Sequence, residues 1–249
     1  ASTVASSSGN KREDGLSAGQ VSNLTAHRTL ALQAHLMTRP DVAFLAVVHR
    51  MLLLAFYTER NYYSASTPNS ALVLSGRDRN HEILKYADDA GDLKTSRAQM
   101  EIDQRKAEVR AQLPVKEGLW EFLAQQTQEK LMELLAVATA EQLYLVETYS
   151  ALGFRGTTGD DIARAAEFQM SDYWAPTSEW LAKIKKDQIL KAMKEAGGVE
   201  ITPALEKAKR SELAVRAAAA LDGKGWVPDI IRTADAVPLT DEQRAPLVS

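Results

Sequence analysis

The stretch Phe168–Gly198, FQMSDYWAPTSEWLAKIKKDQILKAMKEAGG, decides the fold class of this chain. Pro176 disfavours a helical conformation in the residue before it, and Thr177 is a good N-cap, so a helix is predicted to begin there. In the segment that follows, apolar residues recur at helical spacing on one face and lysines on the other, which predicts a basic amphipathic helix. The Gly-Gly pair behind it is typical of a helix end.

The same rules, applied outward from this stretch, predict helices along most of the chain. Thr202-Pro203 begins a helix over PALEKAKRSELAVRAAAAL, and Gly223 stops it. On the other side, Ser17 caps a helix that ends at Pro40, and Pro40 opens a second apolar helix, so that the two form a hairpin. Three further helical segments are expected, at 81–90, 94–113 and 131–152.

Signals for strands and repeats are weaker. No segment alternates convincingly between apolar and polar residues, and no internal repeat of fixed period is apparent, so a solenoid is not favoured. We therefore predict an all-α protein, a multi-helix bundle with a smaller basic C-terminal helical subdomain. The expected organisation is a flexible linker or tail at 1–16, a helical bundle at 17–155, the basic subdomain at 156–235 and a C-terminal tail at 236–249.

The composition is ordinary for a globular protein. Of the 249 residues, 45% are apolar and 25% charged, and there is no cysteine. The absence of cysteine excludes disulfides and thiolate metal sites, and it fits a reducing cytosol. No apolar run approaches the roughly 20 residues of a membrane span, and no signal peptide is apparent. We expect a cytoplasmic location and no membrane partner.

Positive charge is concentrated in one segment although the net charge of the chain is −3. Residues 183–216 hold nine Lys or Arg side chains against five acids. Two consecutive lysine-bearing helices can grip nucleic-acid phosphates without reading bases, whereas the alternative is a solvated face on two amphipathic helices. The candidate DNA-contacting residues are Lys183, Lys185, Lys186, Lys191, Lys194, Lys207, Lys209 and Arg210.

The histidines are expected to be structural. His27 and His35 lie two helical turns apart, which is too far to share one metal ion without other ligands. His49 sits on an apolar helix face. We expect each of the three to be hydrogen-bonded in the core or between helices.

Acidic residues give no catalytic pattern either. Asp88, Asp89 and Asp92 lie between two helices, and Asp160-Asp161 fit a helix start, so capping and solvation explain them better than catalysis or metal binding. No hydrolase or metalloprotease motif accompanies them. We expect no enzymatic activity, no cofactor and no metal.

The four tryptophans are expected to anchor the core rather than to stack on bases, because each lies beside Leu, Pro or Phe at a helix start. They are Trp120, Trp174, Trp180 and Trp226. The apolar helices 17–39 and 40–58 leave two interpretations open, an internal core or an intersubunit bundle.

The order of these segments resembles the C-terminal helical region of ParB-like plasmid and chromosome partition proteins that carry a long C-terminal extension. The resemblance covers most of residues 17–232, and its most specific pieces are Leu24–Arg28, Tyr173–Thr177 and Trp226–Arg232. Members of that family have an N-terminal partition domain with an arginine-rich motif and a central helix-turn-helix. Neither signature is visible here. One departure is Lys185, since the family pattern leads us to expect a capping serine before the lysine helix.

The resemblance implies that this chain follows the DNA-reading module of such a protein, with 1–16 as the end of a linker. It implies a role in DNA segregation, a partition ATPase as partner and an association with nucleoid or plasmid. We therefore expect a non-enzymatic region that gives auxiliary contact to the DNA backbone. The alternative is a self-associating module, for instance a homodimer, or a protein-docking module, with no direct DNA contact.

Overall fold

The computed structural model describes residues 15–56, 59–60, 65–66, 71–74, 79–87, 92–147, 158–196 and 199–233. Within these residues the chain forms eleven α-helices and one pair of two-residue strands, β1 (Glu59–Arg60) and β2 (Ala65–Ser66). The helices are α1 (Ala18–Leu36), α2 (Pro40–Phe56), α3 (Arg79–Leu84), α4 (Arg97–Gln112), α5 (Leu119–Ala124), α6 (Gln128–Ala140), α7 (Thr158–Ala165), α8 (Ser178–Lys183), α9 (Lys186–Glu195), α10 (Pro203–Lys207) and α11 (Arg210–Leu221). The predicted all-α class is confirmed. No described helix combines the length and the apolarity that crossing a membrane requires.

The described residues divide into two compact units. The smaller unit draws on Ala1–Gln20 and Ala175–Trp226, and the larger on Val21–Trp174 and Val227–Ser249. The division at residue 175 differs from the boundary near 156 that the sequence predicts. The physical reason is that α7 is bound to α1. Asp160 at the start of α7 pairs with Arg28, and the carbonyl behind its end accepts hydrogen bonds from His35 and Arg39.

Two predicted terminal segments fall largely outside the described residues. Of the linker at 1–16 only Gly15 and Leu16 are described, and Leu16 packs partly buried against the core of the smaller unit. The tail at 236–249 is not among the described residues.

Helix α1 begins where the sequence predicts, since the Ser17 hydroxyl accepts from the Gln20 N–H at 3.3 Å and the Gln20 side chain accepts from the Ser17 N–H at 2.8 Å. Its side chains are buried around most of the helix. Leu24, Leu30 and Leu32 are fully buried, and buried polar residues lie between them. Of the two interpretations of this helix, the structure shows an internal core.

The helix predicted over 131–152 ends early. Helix α6 stops at Ala140, Glu141 and Gln142 form a turn, and residues 143–147 are extended rather than helical. This extended segment takes its hydrogen bonds from side chains of α1 instead of from a neighbouring turn of helix. Glu147 N–H donates to Thr25 Oγ at 2.9 Å, and Leu145 N–H donates to Thr29 Oγ at 3.2 Å. Leu143 forms an isolated bridge with Leu72 on its other side.

Helix α2 begins at Pro40 as predicted and packs against α6. Val42 and Ala46 are buried, whereas Leu45 is 38% exposed and His49 is exposed. The prediction of a core His49 is therefore wrong. The buried residues in its described part are Val42, Ala43 and Ala46, all of them small.

The smaller unit has its own apolar core. Helix α11 packs against both α8 and α9, and the buried residues come from one face of each. Leu181 of α8, Ile189 of α9 and Leu213 of α11 are fully buried. Burying each such side chain stabilises the fold by about 1.5–3 kcal/mol relative to leaving it exposed. Four helices and their connections are thus held by contacts within this unit.

Candidate nucleic-acid interface

All eight predicted DNA-contacting residues lie in the smaller unit. Seven of them are exposed and Lys186 is half-buried. They occupy the outer sides of α8, α9, α10 and α11 and the turns between them, while the apolar residues of the same helices form the core. The amphipathic arrangement inferred from the sequence is therefore present, and the side chains are accessible to a partner.

The helix predicted over PALEKAKRSELAVRAAAAL is interrupted. Helix α10 ends at Lys207 and α11 begins at Arg210, with Ala208 and Lys209 in extended conformation between them. The prediction of a single helix is wrong at this point, because the sequence has no Pro or Gly at the break. The break divides the segment into a short helix, a basic turn and a longer amphipathic helix.

The same three parts occur in the preceding segment. Helix α8 is short and capped by Thr177, whose hydroxyl accepts from Trp180 N–H at 3.1 Å, and α10 is short and capped by Thr202, whose hydroxyl accepts from Leu205 N–H at 3.4 Å. Each is followed by a basic turn and then by a longer helix, α9 or α11. Residues 178–221 thus contain two consecutive copies of one helix-turn-helix unit.

The sequence of the turn is repeated as well. LAKIKK at 181–186 corresponds to LEKAKR at 205–210, a shared pattern of Leu-x-Lys-x-Lys-Lys/Arg. The pattern continues into the longer helices, where Ile189 corresponds to Leu213 and Met193 to Ala217, all four of them buried. The expectation of no internal repeat is corrected here. The signal was hidden because the apolar positions differ in size and because the second copy read as one helix.

Both longer helices begin behind a lysine with an extended backbone. Lys185 has φ −72° and ψ 154°, and Lys209 has φ −64° and ψ 146°. A lysine ammonium has no acceptor, so neither side chain can cap the free N–H groups of the helix start. The Gln188 side chain does accept from the Lys185 backbone N–H at 2.9 Å. The Gln188 side chain thus fixes the start of α9 in place of a capping residue.

The electrostatics of these two turns favour an anion. The first turn of a helix carries a positive partial charge, and its free N–H groups are donors. Each helix start adds two further cations, the N-cap lysine and the first helical residue, which are Lys185 and Lys186 in α9 and Lys209 and Arg210 in α11. Each first turn also holds one acid, Asp187 or Glu212. The acid offsets one of the two cations, which leaves each helix start with a net positive charge that a bound anion would balance. The structure therefore brings six of the eight candidates together as two three-residue sets, the third members being Lys183 and Lys207.

Some of the candidates are engaged within the unit. Lys186 Nζ donates to the backbone carbonyl of Glu206, which joins the first turn to α10. Lys191 forms an exposed ion pair with Glu195 at 3.3 Å. Lys194 stands exposed on α9 outside both turns. Lys185, Lys207, Lys209 and Arg210 are thus better placed for a partner than the lysines in the middle of α9.

The prediction that the four tryptophans anchor the core has different outcomes for different residues. Trp174, Trp180 and Trp226 are half-buried, and Trp226 Nε1 donates to Glu195 Oε2 at 3.0 Å, which ties the closing segment of the smaller unit to α9. Trp120 is 79% exposed, so the prediction that it anchors the core is wrong. Its neighbours Leu119 and Leu123, rather than Trp120 itself, face the rest of the unit.

The histidines and aspartates considered as candidate ligands or catalytic groups make contacts that stabilise the fold. His27 is buried and its Nε2 lies 2.7 Å from Asp92 Oδ2, and His35 Nε2 donates to the Ala166 carbonyl at 2.8 Å. The prediction that these two histidines are hydrogen-bonded in the core or between helices is confirmed, with partners in a turn and just behind α7. Asp160 pairs with Arg28 and Asp161 with Arg164.

Asp88 and Asp89 lie outside the described residues. In the part of the chain that is described, no three potential metal ligands among His, Cys, Asp and Glu come together as a group.

Comparison with known proteins gives a distant likeness. The "Uncharacterized protein YubM" of Escherichia coli strain K12 is 28% identical over 213 residues, which is 84% of this chain and 31% of that protein. The protein of the same name from Escherichia coli O157:H7 is 28% identical over 211 residues, with the same coverage. The chain thus spans about a third of the length of these relatives. No protein-family profile and no solved structure matches it.

Proposed function

We propose that this chain is a non-enzymatic DNA-backbone-contacting region of a ParB-like partition or regulatory protein. The observation that carries the proposal is the duplicated turn, Leu-x-Lys-x-Lys-Lys/Arg, at 181–186 and 205–210. Each copy sets three cations around an N-terminal helix turn whose lysine cannot cap it. Two such turns in one compact unit suit a polyanion with regularly repeated phosphates better than they suit a single small anion.

The proposed contact is to phosphates and not to base edges. The side chains in the two turns are lysines and one arginine, which serve phosphates as point charges or through charge-assisted hydrogen bonds. Among the eight candidates there is no Asn or Gln, which are the usual readers of adenine, and only Arg210 has the planar fork of donors that best matches a guanine edge. Binding is therefore expected to depend on salt and to be indifferent to sequence. The partition role, the nucleoid or plasmid association and the ATPase partner rest on the family resemblance.

A salt-titrated binding assay of the 249-residue chain with a fluorescent DNA duplex tests the proposal. The variant to compare is Lys185→Gln/Lys209→Gln/Arg210→Gln, since these three side chains are exposed and make no ion pair with any described residue. The matched control is Lys85→Gln/Lys94→Gln/Lys116→Gln, which removes the same charge from exposed lysines of the larger unit. Circular dichroism verifies that both variants are folded.

The expected result is binding at low salt whose logarithmic affinity falls linearly with the logarithm of salt concentration. Each phosphate contact contributes a slope of about −0.9, so the turn variant should flatten the slope by about 2–3 and the control should leave it nearly unchanged. Absence of duplex binding by the unmodified chain at low salt would refute the proposal. Equal losses of DNA affinity in the turn variant and the control would show that binding depends on net charge and not on the two turns.

A further inference from the structure

Helix α5 is an apolar helix without a buried residue. Its sequence is LWEFLA, yet none of its six residues is buried in the larger unit. Trp120 is 79% exposed, and Val115, in the segment just before this helix, is 74% exposed. A tryptophan on a monomeric surface leaves about 150–250 Å² of amphipathic ring to be covered, and aromatic residues of this kind are enriched in interface hot spots. The helix therefore has the character of a contact surface.

An apolar groove lies beside α5 in the same unit. It has a volume of about 620 Å³ and runs between α4, α5 and α6. Val109 of α4 and Leu113, the residue after this helix, form one wall, and Leu134 of α6 forms the other. Leu119 and Leu123 of α5 complete the lining. Trp120 is the next residue after Leu119 and projects about 100° further around the helix, so α5 carries both a wall of the groove and a projecting aromatic side chain.

The charges around these two features have opposite sign. Trp120 stands between the exposed acids Glu117 and Glu121. The α4 wall of the groove carries Lys106 and Arg110. Lys106 is already paired with Glu141 at 2.8 Å, whereas the exposed Arg110 has no ion pair with any described residue. Glu141 also lines the groove and neutralises Lys106, so Arg110 is the cation that the rim offers to a partner. An aromatic side chain flanked by acids thus lies next to an apolar groove with this cation at its rim, and the surface is complementary to a copy of itself.

We infer that the groove receives Trp120 of a second copy of this chain. In a two-fold dimer each protomer supplies the same patch, so Trp120 of one protomer enters the groove of the other and the contact occurs twice. Glu121 then faces the partner's Arg110. The reciprocal α4, α5 and α6 faces supply the area around the two aromatic anchors, and a specific interface needs about 1,000 Å² in total. This inference does not depend on DNA binding and concerns the other unit of the chain.

Sedimentation velocity over a wide range of protein concentration, without DNA, tests the inference. The unmodified chain is expected to form a concentration-dependent dimer. Trp120→Ser should raise the dimer dissociation constant about thirtyfold or more, which is the effect of removing a hot-spot residue of 2 kcal/mol or more. The matched control is Val215→Ser on α11, which removes a 62% exposed apolar side chain from the smaller unit and should leave the dissociation constant unchanged.

A charge exchange tests the pairing across the interface. Arg110→Glu and Glu121→Arg should each weaken the dimer, because each places like charges opposite one another, and the double variant should restore it. A chain that is monomeric at every concentration, or a dimer that is unaffected by Trp120→Ser, would overturn the inference. A double variant no tighter than the single ones would overturn the assigned contact between Glu121 and Arg110. Both units should keep their thermal transitions in all variants, since the altered side chains are exposed.

Discussion

Thr29 of α1 links the helix to the extended segment behind α6 through a single buried hydroxyl. Its Oγ donates to the Thr25 carbonyl at 2.7 Å and accepts from the Leu145 backbone N–H at 3.2 Å. The neighbouring Thr25 hydroxyl does the same for Glu147, and Gln33 donates to the Leu143 carbonyl at 2.9 Å. Polar side chains at helical spacing thus serve as the hydrogen-bonding partner that a strand would otherwise have provided.

Replacing Thr29 by valine tests the importance of this link. Valine keeps the shape and the β-branch but leaves the buried Leu145 N–H without its acceptor, and an unsatisfied buried donor costs about 1–3 kcal/mol. The midpoint of urea unfolding should fall accordingly while its slope stays unchanged. Thr95→Val, at an exposed position, should change stability by no more than about 0.5 kcal/mol. An equal effect of both substitutions would show that the Leu145 bond is unimportant.

The ion pair between Arg28 and Asp160 holds α7 against α1 in a place that water reaches poorly. The side chains are 9% and 17% exposed. Arg28→Met removes the cation and leaves a mostly buried carboxylate without this partner, for which we expect a loss of about 3 kcal/mol in unfolding free energy. Arg28→Met/Asp160→Asn should recover part of that loss, because the uncompensated charge is gone.

The control for this pair is an exposed one. Arg216 Nη2 lies 2.6 Å from Glu212 Oε1, and the two side chains are 53% and 52% exposed. Arg216→Met should therefore change the free energy of unfolding by less than about 1 kcal/mol. If Arg28→Met were as mild as Arg216→Met in chemical denaturation, the buried pair would not be what fixes α7.

Sequence periodicity predicted the helical class and most helix starts because these depend on local chemistry. Ser17, Pro40, Thr177 and Thr202 each mark a helix start that the structure shows, and in each case the signal lies within four residues of the event. The basic character of the C-terminal helices was likewise predicted, since amphipathic patterning is readable from sequence alone.

The errors arise where a distant part of the chain decides the outcome. The segment after Ala140 has apolar residues at helical spacing, yet hydroxyl groups more than a hundred positions earlier in the chain hold it extended. Trp120 looked like a core residue by type, whereas its exposure depends on how α4 and α6 pack. Single-sequence patterns contain neither fact. The break that makes the second turn equivalent to the first likewise has no Pro or Gly to mark it.

Tyr173 is expected to titrate unusually late. Burial, followed by the negative charge of Glu101, raises its pKa to about 12 and outweighs the opposing effect of Arg97, whose guanidinium lies 5.3 Å from the ring centre. The folded state then holds the phenolic proton more tightly than the unfolded state does. The stability from this group is fully present below about pH 10 and is lost as pH rises towards 12.

The phenolate absorbance of the unmodified chain minus that of Tyr173→Phe isolates this titration. Its midpoint should lie near pH 12, provided that the protein is still folded by circular dichroism at that pH. Glu101→Gln should shift the midpoint towards the ordinary tyrosine value of about 10, because it removes the negative charge and leaves Arg97 nearby. A midpoint at the ordinary value in the unmodified chain would contradict the proposed environment.

The repeat predicts that its two turns act alike. Lys183→Gln/Lys185→Gln/Lys186→Gln and Lys207→Gln/Lys209→Gln/Arg210→Gln each remove three cations from equivalent positions. Their effects on the salt dependence of duplex binding should be of similar size, somewhat smaller for the first variant because Lys186 already donates to the Glu206 carbonyl. The effects should be nearly additive when combined, since separate contacts contribute independently. A loss confined to one triple variant would mean that only that turn contacts DNA.

The break between α10 and α11 is testable by a substitution that would destroy an uninterrupted helix. Lys209 has φ −64°, which is the angle that proline imposes, and Ala208 before it has ψ 149°, as a residue preceding proline requires. The Lys209 N–H donates no hydrogen bond to any described residue. Lys209→Pro should therefore change stability by less than about 1 kcal/mol and can increase it, because proline restricts the unfolded chain.

Val215→Pro is the matched comparison for this substitution, since Val215 is exposed but lies inside α11. There proline removes a helical hydrogen bond and clashes with the preceding turn, which costs about 3 kcal/mol or more. Lys209→Ala separates the loss of charge from the change in backbone. Thermal unfolding of the three variants decides the matter. If Lys209→Pro lowered the melting temperature as much as Val215→Pro does, the chain would be helical through 209 and the two turns would not be equivalent.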